Sequence, residues 1–351
     1  MWKETLVAVG LYWFVSLSLI FSNKTLMSSW EHSIPAPLFV TWVQCVQTAA
    51  LIWGLGMAKE AYPQVSLLAQ FPKPQAEVST LRAVAPLSVV FVGMIASNNV
   101  TLMHIPVSFY NVAKALSVVF NVVLGYYVLG SVVSRSVLAT LAVVVAGFLV
   151  GTTGELQLTM TGVVFGIISS VMSPLNSIMT KKILPVVNQD KWILALNNNI
   201  NASLLFIPLL FVFGEIPVLA QHMDTLLSPQ YWLVMLASGF LGFAIGIVVV
   251  MVVKATSPLT FCLVGVLKNS VQTVLGVYIY GTPMSPGAVL GVALVLTGSL
   301  LYTYVRTKES AQESLVLPVS EKDAPPSSQI SPLSPLSPLS TPGADSGSVA
   351  Q

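Results

Sequence analysis

Residues 122–130 read VVLGYYVLG and residues 273–281 read TVLGVYIYG. Val123, Leu124, Gly125, Tyr127 and Gly130 match Val274, Leu275, Gly276, Tyr278 and Gly281 at a constant offset of 151, and Pro106 stands ahead of one stretch as Pro258 stands ahead of the other. Val- and Gly-rich sequence produces such matches by chance, so the weight of this one depends on its surroundings. Each stretch closes a long apolar run, and a helix that crosses a bilayer needs roughly 20 such residues. Ten candidate runs lie near 5–27, 36–57, 84–103, 106–129, 137–153, 160–181, 192–214, 230–253, 257–281 and 285–305. The matched stretches end the fourth and the ninth. The chain therefore reads as an all-α membrane protein of ten transmembrane helices. It divides into a first five-helix repeat (1–153) and a second (154–306). Five is odd, so the two halves must insert in opposite directions. Many secondary transporters use this inverted 5+5 arrangement, with their sites near the midplane between the halves.

Composition agrees. Of 351 residues, 55% are hydrophobic and only 8% are charged, whereas a soluble domain carries about 25% charged residues. So few charges cannot solvate a globular surface of this size, and the partner it implies is the lipid bilayer. The net charge of +2 suggests no nucleic-acid partner. Where the charges fall says more. Lys3, Lys59, Lys73, Arg82, Arg135, Lys181, Lys182, Lys191, Lys254, Arg306, Lys308 and Lys322 are all on one side of the ten-span scheme. The opposite connections hold Glu31, Glu155, Glu215 and Asp224 instead. The positive-inside rule then puts both termini in the cytosol, and a miscounted span would have scrambled the pattern.

The run from Leu6 to Phe21 has no basic n-region beyond Lys3 and no small-residue cleavage site, so it reads as the first span and not as a signal peptide. Cys45 and Cys262 lie in apolar runs and read as packing thiols. Residues 307–351 are polar and rich in Ser and Pro, and read as a disordered cytosolic tail. Ser331, Ser334 and Ser337 each precede proline, as proline-directed phosphorylation requires.

Three basic residues remain inside the spans: Lys24 near the far end of the first, Lys114 in the fourth and Lys268 in the ninth. A lysine at the bilayer centre costs at least about 2.5–3.5 kcal/mol and normally faces water or a partner. None of the thirteen Asp and Glu residues lies within a span, and His32, His104 and His222 are all in connections. Snorkelling to an interface is open to Lys24, but Lys114 and Lys268 are too deep for it. For those two the missing charge is expected from an anionic substrate. Two ammonium groups suit a phosphorylated ligand carrying about two negative charges. Polar residues expected around it include Gln44, Asn98, Tyr110, Asn111, and Asn197, Asn198 and Asn199 in the seventh span. Helix–helix hydrogen bonding is the competing reading of each. No metal ligands and no cofactor are expected. A Ser–Lys hydrolase remains a formal alternative, since Ser117 lies one turn from Lys114.

The segments PLSVVFVGMIASNN from Pro86, VSFYNVAKALSVVFNVVL from Val107, NNNINASLLFIPLL from Asn197 and GFAIGIVV from Gly242 resemble those of nucleotide-sugar transporters, within the drug/metabolite transporter superfamily. The GDP-fucose branch is the nearest, and the resemblance covers about residues 5–305. It implies a ten-helix inverted repeat in the Golgi or ER membrane, exchanging a GDP-sugar for GMP; a homodimer is one assembly compatible with it. GDP-sugar members carry Phe-Tyr-Asn-Asn in the seventh span, associated with sugar and ribose. Here Leu196-Asn197-Asn198-Asn199 keeps the two final Asn but not the Phe and Tyr. A second signature, Gly-Ala-Leu-Asn-Lys, or nearer Gly-Thr-Ala-Lys in GDP-fucose members, is associated with guanine and phosphate. Its counterpart is Gly265-Val266-Leu267-Lys268-Asn269, so Gly265 and Lys268 carry over. Lys114 stands where GDP-fucose members tend to have arginine, which loses a bidentate fork but keeps the charge. Other GDP-sugars, UDP-sugars and sugar phosphates stay open as cargo.

Overall fold

The computed structural model describes residues 2–29, 31–73, 76–130, 133–154, 159–255, 258–281 and 284–316. Glu155, Lys322 and the three Ser-Pro sites lie outside the described residues, as do the side chains of Lys3, Lys254 and Cys262. The residues up to Lys308 form one compact unit, and the expected tail lies beyond residue 316 outside the described residues.

Every described regular element is helical. The long helices are α1 (Trp2–Lys24, continued by a π-helical turn, Thr25–Ser29), α2 (Pro37–Ala61), α3 (Val78–His104), α4 (Val107–Leu129), α5 (Arg135–Gly154), α6 (Met160–Ile183) and α7 (Lys191–Val212). Two short helices, α8 (Glu215–Gln221) and α9 (Met223–Leu226), precede α10 (Pro229–Ala255), α11 (Pro258–Tyr280) and α12 (Pro286–Val316). Nine described helices are long and apolar enough to cross a membrane. The 23-residue α11, interrupted by Lys268, is a further long helix. The last helix continues past Arg306 to Val316.

Local chemistry accounts for the boundaries. Helices α2, α10, α11 and α12 begin at proline, whose missing N–H costs nothing in a first turn. Asp190 starts α7 by accepting from the N–H groups of Trp192 and Ile193, and Thr159 starts α6 by accepting from Gly162. The glycines of the sequence repeat have a backbone reason: Gly130 and Gly281 end α4 and α11 at φ +64° and +60°, a left-handed conformation that side chains resist. Helix α2 has no cap of its own at Ala36. The carboxylate of Glu215, 177 residues away, accepts from the N–H of Leu38 at 2.9 Å, and from that of Phe39 at 2.8 Å.

Large apolar side chains such as Phe14, Phe211, Leu233, Val274 and Tyr278 are exposed, as a surface solvated by lipid requires. Inside, α1 runs along α10 and α3 along α6; α2 packs on α7, and α4 packs on α6 and touches α11. Helix α11 meets α1 at only a few positions. Helices α5 and α12 approach until glycine is obligatory. A Cβ built on Gly291 would stand 2.4 Å from the Cα of Gly151.

Helices α1, α3, α7 and α11 finish at one end of the bundle, called here the far end. It is closed by a cluster that includes Leu26, Ile34, Phe39, Leu102, Tyr231 and Met235. Along α10, Tyr231, Met235 and Ser238 are buried, whereas a Cβ on Gly242 or Gly246, next on the same helical stripe, meets no atom within 4 Å. Along this stripe α10 is packed at the far end and lined by uncrowded glycine beyond it, while Phe243, Val248 and Val252 beside it stay buried.

Candidate functional site

Helix α11 has one face for lipid and one for the interior. Tyr278 is 85% exposed, whereas Lys268 is 7% and Gln272, one turn on, 0% exposed. The Lys268 ammonium donates to Ser16 Oγ of α1 at 3.1 Å and to Gln272 Oε1 at 3.2 Å. Gln272 Nε2 donates to Asn111 Oδ1 of α4 at 3.0 Å. Asn111 Nδ2 returns to α11, donating to Thr273 Oγ1 at 3.0 Å and to the Asn269 carbonyl at 3.1 Å. Three buried side chains, Asn111, Gln272 and Thr273, therefore join α4 to α11 through bonds among neutral groups, and Gln272 also accepts from the Lys268 ammonium.

Lys114 is one turn beyond Asn111 on α4. Its ammonium donates to Asn98 Oδ1 of α3 at 2.8 Å and to Ser173 Oγ of α6 at 3.0 Å. At 1.5 Å per residue, Lys114 stands about 10 Å and Lys268 about 18 Å along their helices from the far end. Both amines end on oxygens of neighbouring helices within the bundle. Among the described residues their partners are all uncharged oxygens, and the Lys73–Glu60 ion pair is exposed. Among the described residues no group of three or more His, Cys, Asp or Glu could hold a metal ion. Between α4 and α11 the side chains of Asn111, Gln272 and Thr273 bond to one another, and where α12 joins these two helices a small void of about 20 Å³ is lined by Asn111, Asn269 and Thr273 among largely apolar side chains. Ser117 does not pair with the Lys114 ammonium; its hydroxyl donates to the Lys114 carbonyl.

Each of the two ammonium groups has three N–H donors and two described acceptors, so phosphate oxygens can take the third donor or displace a serine or amide oxygen, and the negative charge of phosphate favours it over a neutral acceptor.

The triose-phosphate transporter family model matches residues 3–303. The chain belongs to that family. It is 41% identical over 318 residues to GDP-fucose transporter 1 of Nematostella vectensis, covering 88% of this chain and 93% of that one. Identity to GDP-fucose transporter 1 of Mus musculus is 41% over 303 residues, covering 86% and 82%. Identity to the Golgi GDP-fucose transporter of Drosophila melanogaster is 36% over 310 residues, covering 87% and 90%.

In this member of the triose-phosphate transporter family the remaining expected site residues take several places. Lys24 is not free for a ligand. Its three N–H groups go to the carbonyls of Leu102, Met103 and Ile105 at 2.7, 3.2 and 3.1 Å, capping the end of α3. It also lines a far-end cavity of about 390 Å³ with Ser29, His104, Pro106 and Tyr280. Gln44 ties three helices together by donating to Asn23 of α1 and Ser238 of α10. Asn197 and Asn199 donate back to carbonyls of their own helix, those of Ile193 and Ala195. The buried Oδ1 of Asn198 has no hydrogen-bond partner among the described residues. Tyr110 packs between two core clusters. Gly265 faces open space, with nothing within 4 Å of a built Cβ, on the face of α11 that Lys268 and Gln272 share by spacing.

Sequence reasoning missed Ser16, Ser173, Gln272 and Thr273. Gln272 carried a signal, being polar, within a span and one turn from Lys268. Isolated serines carry none, because a hydroxyl in a membrane helix ordinarily bonds its own backbone.

Proposed function

We propose that this chain is a multi-pass Golgi membrane exchanger that brings GDP-fucose into the lumen and returns GMP to the cytosol. The observation that carries the reading is the pair of buried ammonium groups, Lys114 and Lys268, held on α4 and α11 by neutral oxygens alone. Two such charges call for a ligand with two negative charges, and a nucleotide supplies them. The GDP-fucose transporters at 41% identity point to which nucleotide.

The fold reading that goes with it is ten spans, two inverted repeats of five and cytosolic termini. It is supported by which helices meet. With α1–α5 set against α6, α7 and α10–α12, positional counterparts pack on each other: α2 on α7, α4 on α11, and α5 on α12 through Gly151 and Gly291. The α1–α10 contact likewise has its counterpart in α6–α3. With the far end lumenal, this state is closed to the lumen by the Lys24 cap, the Phe21–Tyr280 ring contact and the Asn111–Gln272 bridge. It is open toward the cytosol beside Gly242, Gly246 and Gly265. Alternating access then moves the α1–α10 unit against the α3–α6 unit, breaking the lumenal contacts and closing the cytosolic ones.

Exchange follows from charge. An empty site must pass through an occluded form with two ammonium groups away from water, which costs roughly several kcal/mol, and a bound anion removes that cost. Vesicles preloaded with GMP should accumulate GDP-fucose while empty vesicles stay nearly inactive, and Lys268→Ala and Lys114→Ala should abolish uptake. Equal uptake by loaded and empty vesicles would refute exchange, and full activity in either variant would remove that lysine from the site. The ammonium pair reads phosphate and not base, so competition by GMP against UMP decides the nucleotide. Preference for UMP would transfer the assignment to a UDP-sugar.

A further inference from the structure

We propose that Ser16 and Ser173 are a matched pair of positioning residues, which hold the two site ammonium groups in the empty carrier and surrender them to the phosphate groups of the substrate. The inference rests on the site proposed above. Ser16 is on α1 and holds Lys268 of α11; Ser173 is on α6 and holds Lys114 of α4. Helix α1 is the first of one run of five and α11 the fourth of the other. Helices α6 and α4 stand in the same relation with the runs reversed. The same kind of bond is thus made twice, between equivalent pairs of helices, with Lys268 one turn beyond the position that the repeat offset gives for Lys114, and each time it crosses from one run to the other. Both ammonium groups also have a second neutral acceptor, Gln272 Oε1 and Asn98 Oδ1.

The Ser173 hydroxyl donates its proton to the Ser169 carbonyl at 2.9 Å, so its oxygen meets Lys114 as an acceptor. An acceptor on a cation competes with an incoming anion and does not assist it. A phosphate oxygen carries negative charge and the hydroxyl none, so its attraction for the ammonium is the stronger; in the proposed bound state it takes the place of both serine oxygens. The consequence is mechanical, because those bonds tie α1 to α11 and α6 to α4. Among the described residues α1 and α11 meet at few positions, with the Ser16–Lys268 bond inside the seam and the Phe21–Tyr280 ring contact at its far end. Binding at the phosphate therefore loosens two seams at once, which couples occupancy to helix movement.

GMP binding to the purified full-length chain tests this by calorimetry, with folding checked by thermal melt. Ser16→Ala and Ser173→Ala should bind GMP about three- to tenfold tighter, since no bond has to be displaced. Ser16→Asp and Ser173→Asp, which set a carboxylate on the ammonium, should weaken GMP by at least about tenfold and permit uptake into GMP-free vesicles. Threonine at either place should behave as serine does. Alanine variants that bind GMP no tighter than the parent would overturn the proposal, as would aspartate variants with parental affinity. If an aspartate variant does not fold, the alanine result decides alone. Lys114→Ala and Lys268→Ala run alongside. If they keep parental GMP affinity, the site assignment itself fails; if they lose it while the serine variants change nothing, only the present inference fails.

Discussion

Replacing Glu215 by alanine removes the sole side-chain cap described for α2. Its carboxylate, 6% exposed, accepts the Leu38 and Phe39 N–H groups at 2.9 and 2.8 Å, and no side chain at Ala36 is able to take over. Each buried donor left without a partner costs about 1–3 kcal/mol. Against this, the variant no longer has to bury a carboxylate, a cost visible in the way burial pushes the Glu215 carboxyl above the usual carboxylate range while its two N–H bonds pull it back. The net loss should be about 2–3 kcal/mol. At roughly 2–3 °C per kcal/mol for a chain of this size, the melting temperature should fall by about 4–9 °C. Glu215→Gln keeps one acceptor oxygen and should lose about half as much. The assay is intrinsic-fluorescence melting of purified protein in detergent at pH 7.5. An alanine variant melting within about 1 °C of the parent would refute the argument, because the α2 donors would then have to be satisfied without Glu215.

Three further outcomes are expected. A raised carboxyl pKa in the folded state means that the fold binds the proton more tightly than the unfolded chain does, so this contribution favours folding at low pH and is lost as pH rises. The melting temperature of the parent relative to Glu215→Gln should therefore be more favourable at pH 5 than at pH 7.5, and a gap independent of pH would contradict the shift. Gly291→Ala would drive a methyl group into Gly151 backbone at 2.4 Å, so α5 and α12 must separate at a cost of about 1–3 kcal/mol, read as a lower melting temperature; an unchanged melt would show that the helices are not in contact there. Lys24→Met should lower the melting temperature by exposing the α3 carbonyls to poor solvation, yet leave GMP affinity within about threefold, because the Lys24 donors are already in use. Loss of GMP binding in that variant would return Lys24 to the substrate site.

The amino-acid sequence determined by itself the solvent of this protein and the places of its helices. Apolar runs, proline starts and glycine ends act locally, over one or two turns, and need no tertiary partner. It also determined that Lys114 and Lys268 are exceptional, since a charge deep in an apolar run is costly whatever surrounds it. Tertiary structure alone decided what those charges touch. Ser16 and Ser173 are commonplace until α1 and α6 are laid against α11 and α4, and Glu215 looks like a loop acid until the chain returns it to the start of α2. Lys24 shows the converse: a charge that the sequence offers to a ligand is used up by three carbonyls that only folding brings within reach. Hydrogen bonds between residues more than 150 positions apart obey the packing of helices, and helical packing is a property of surfaces that linear spacing does not record.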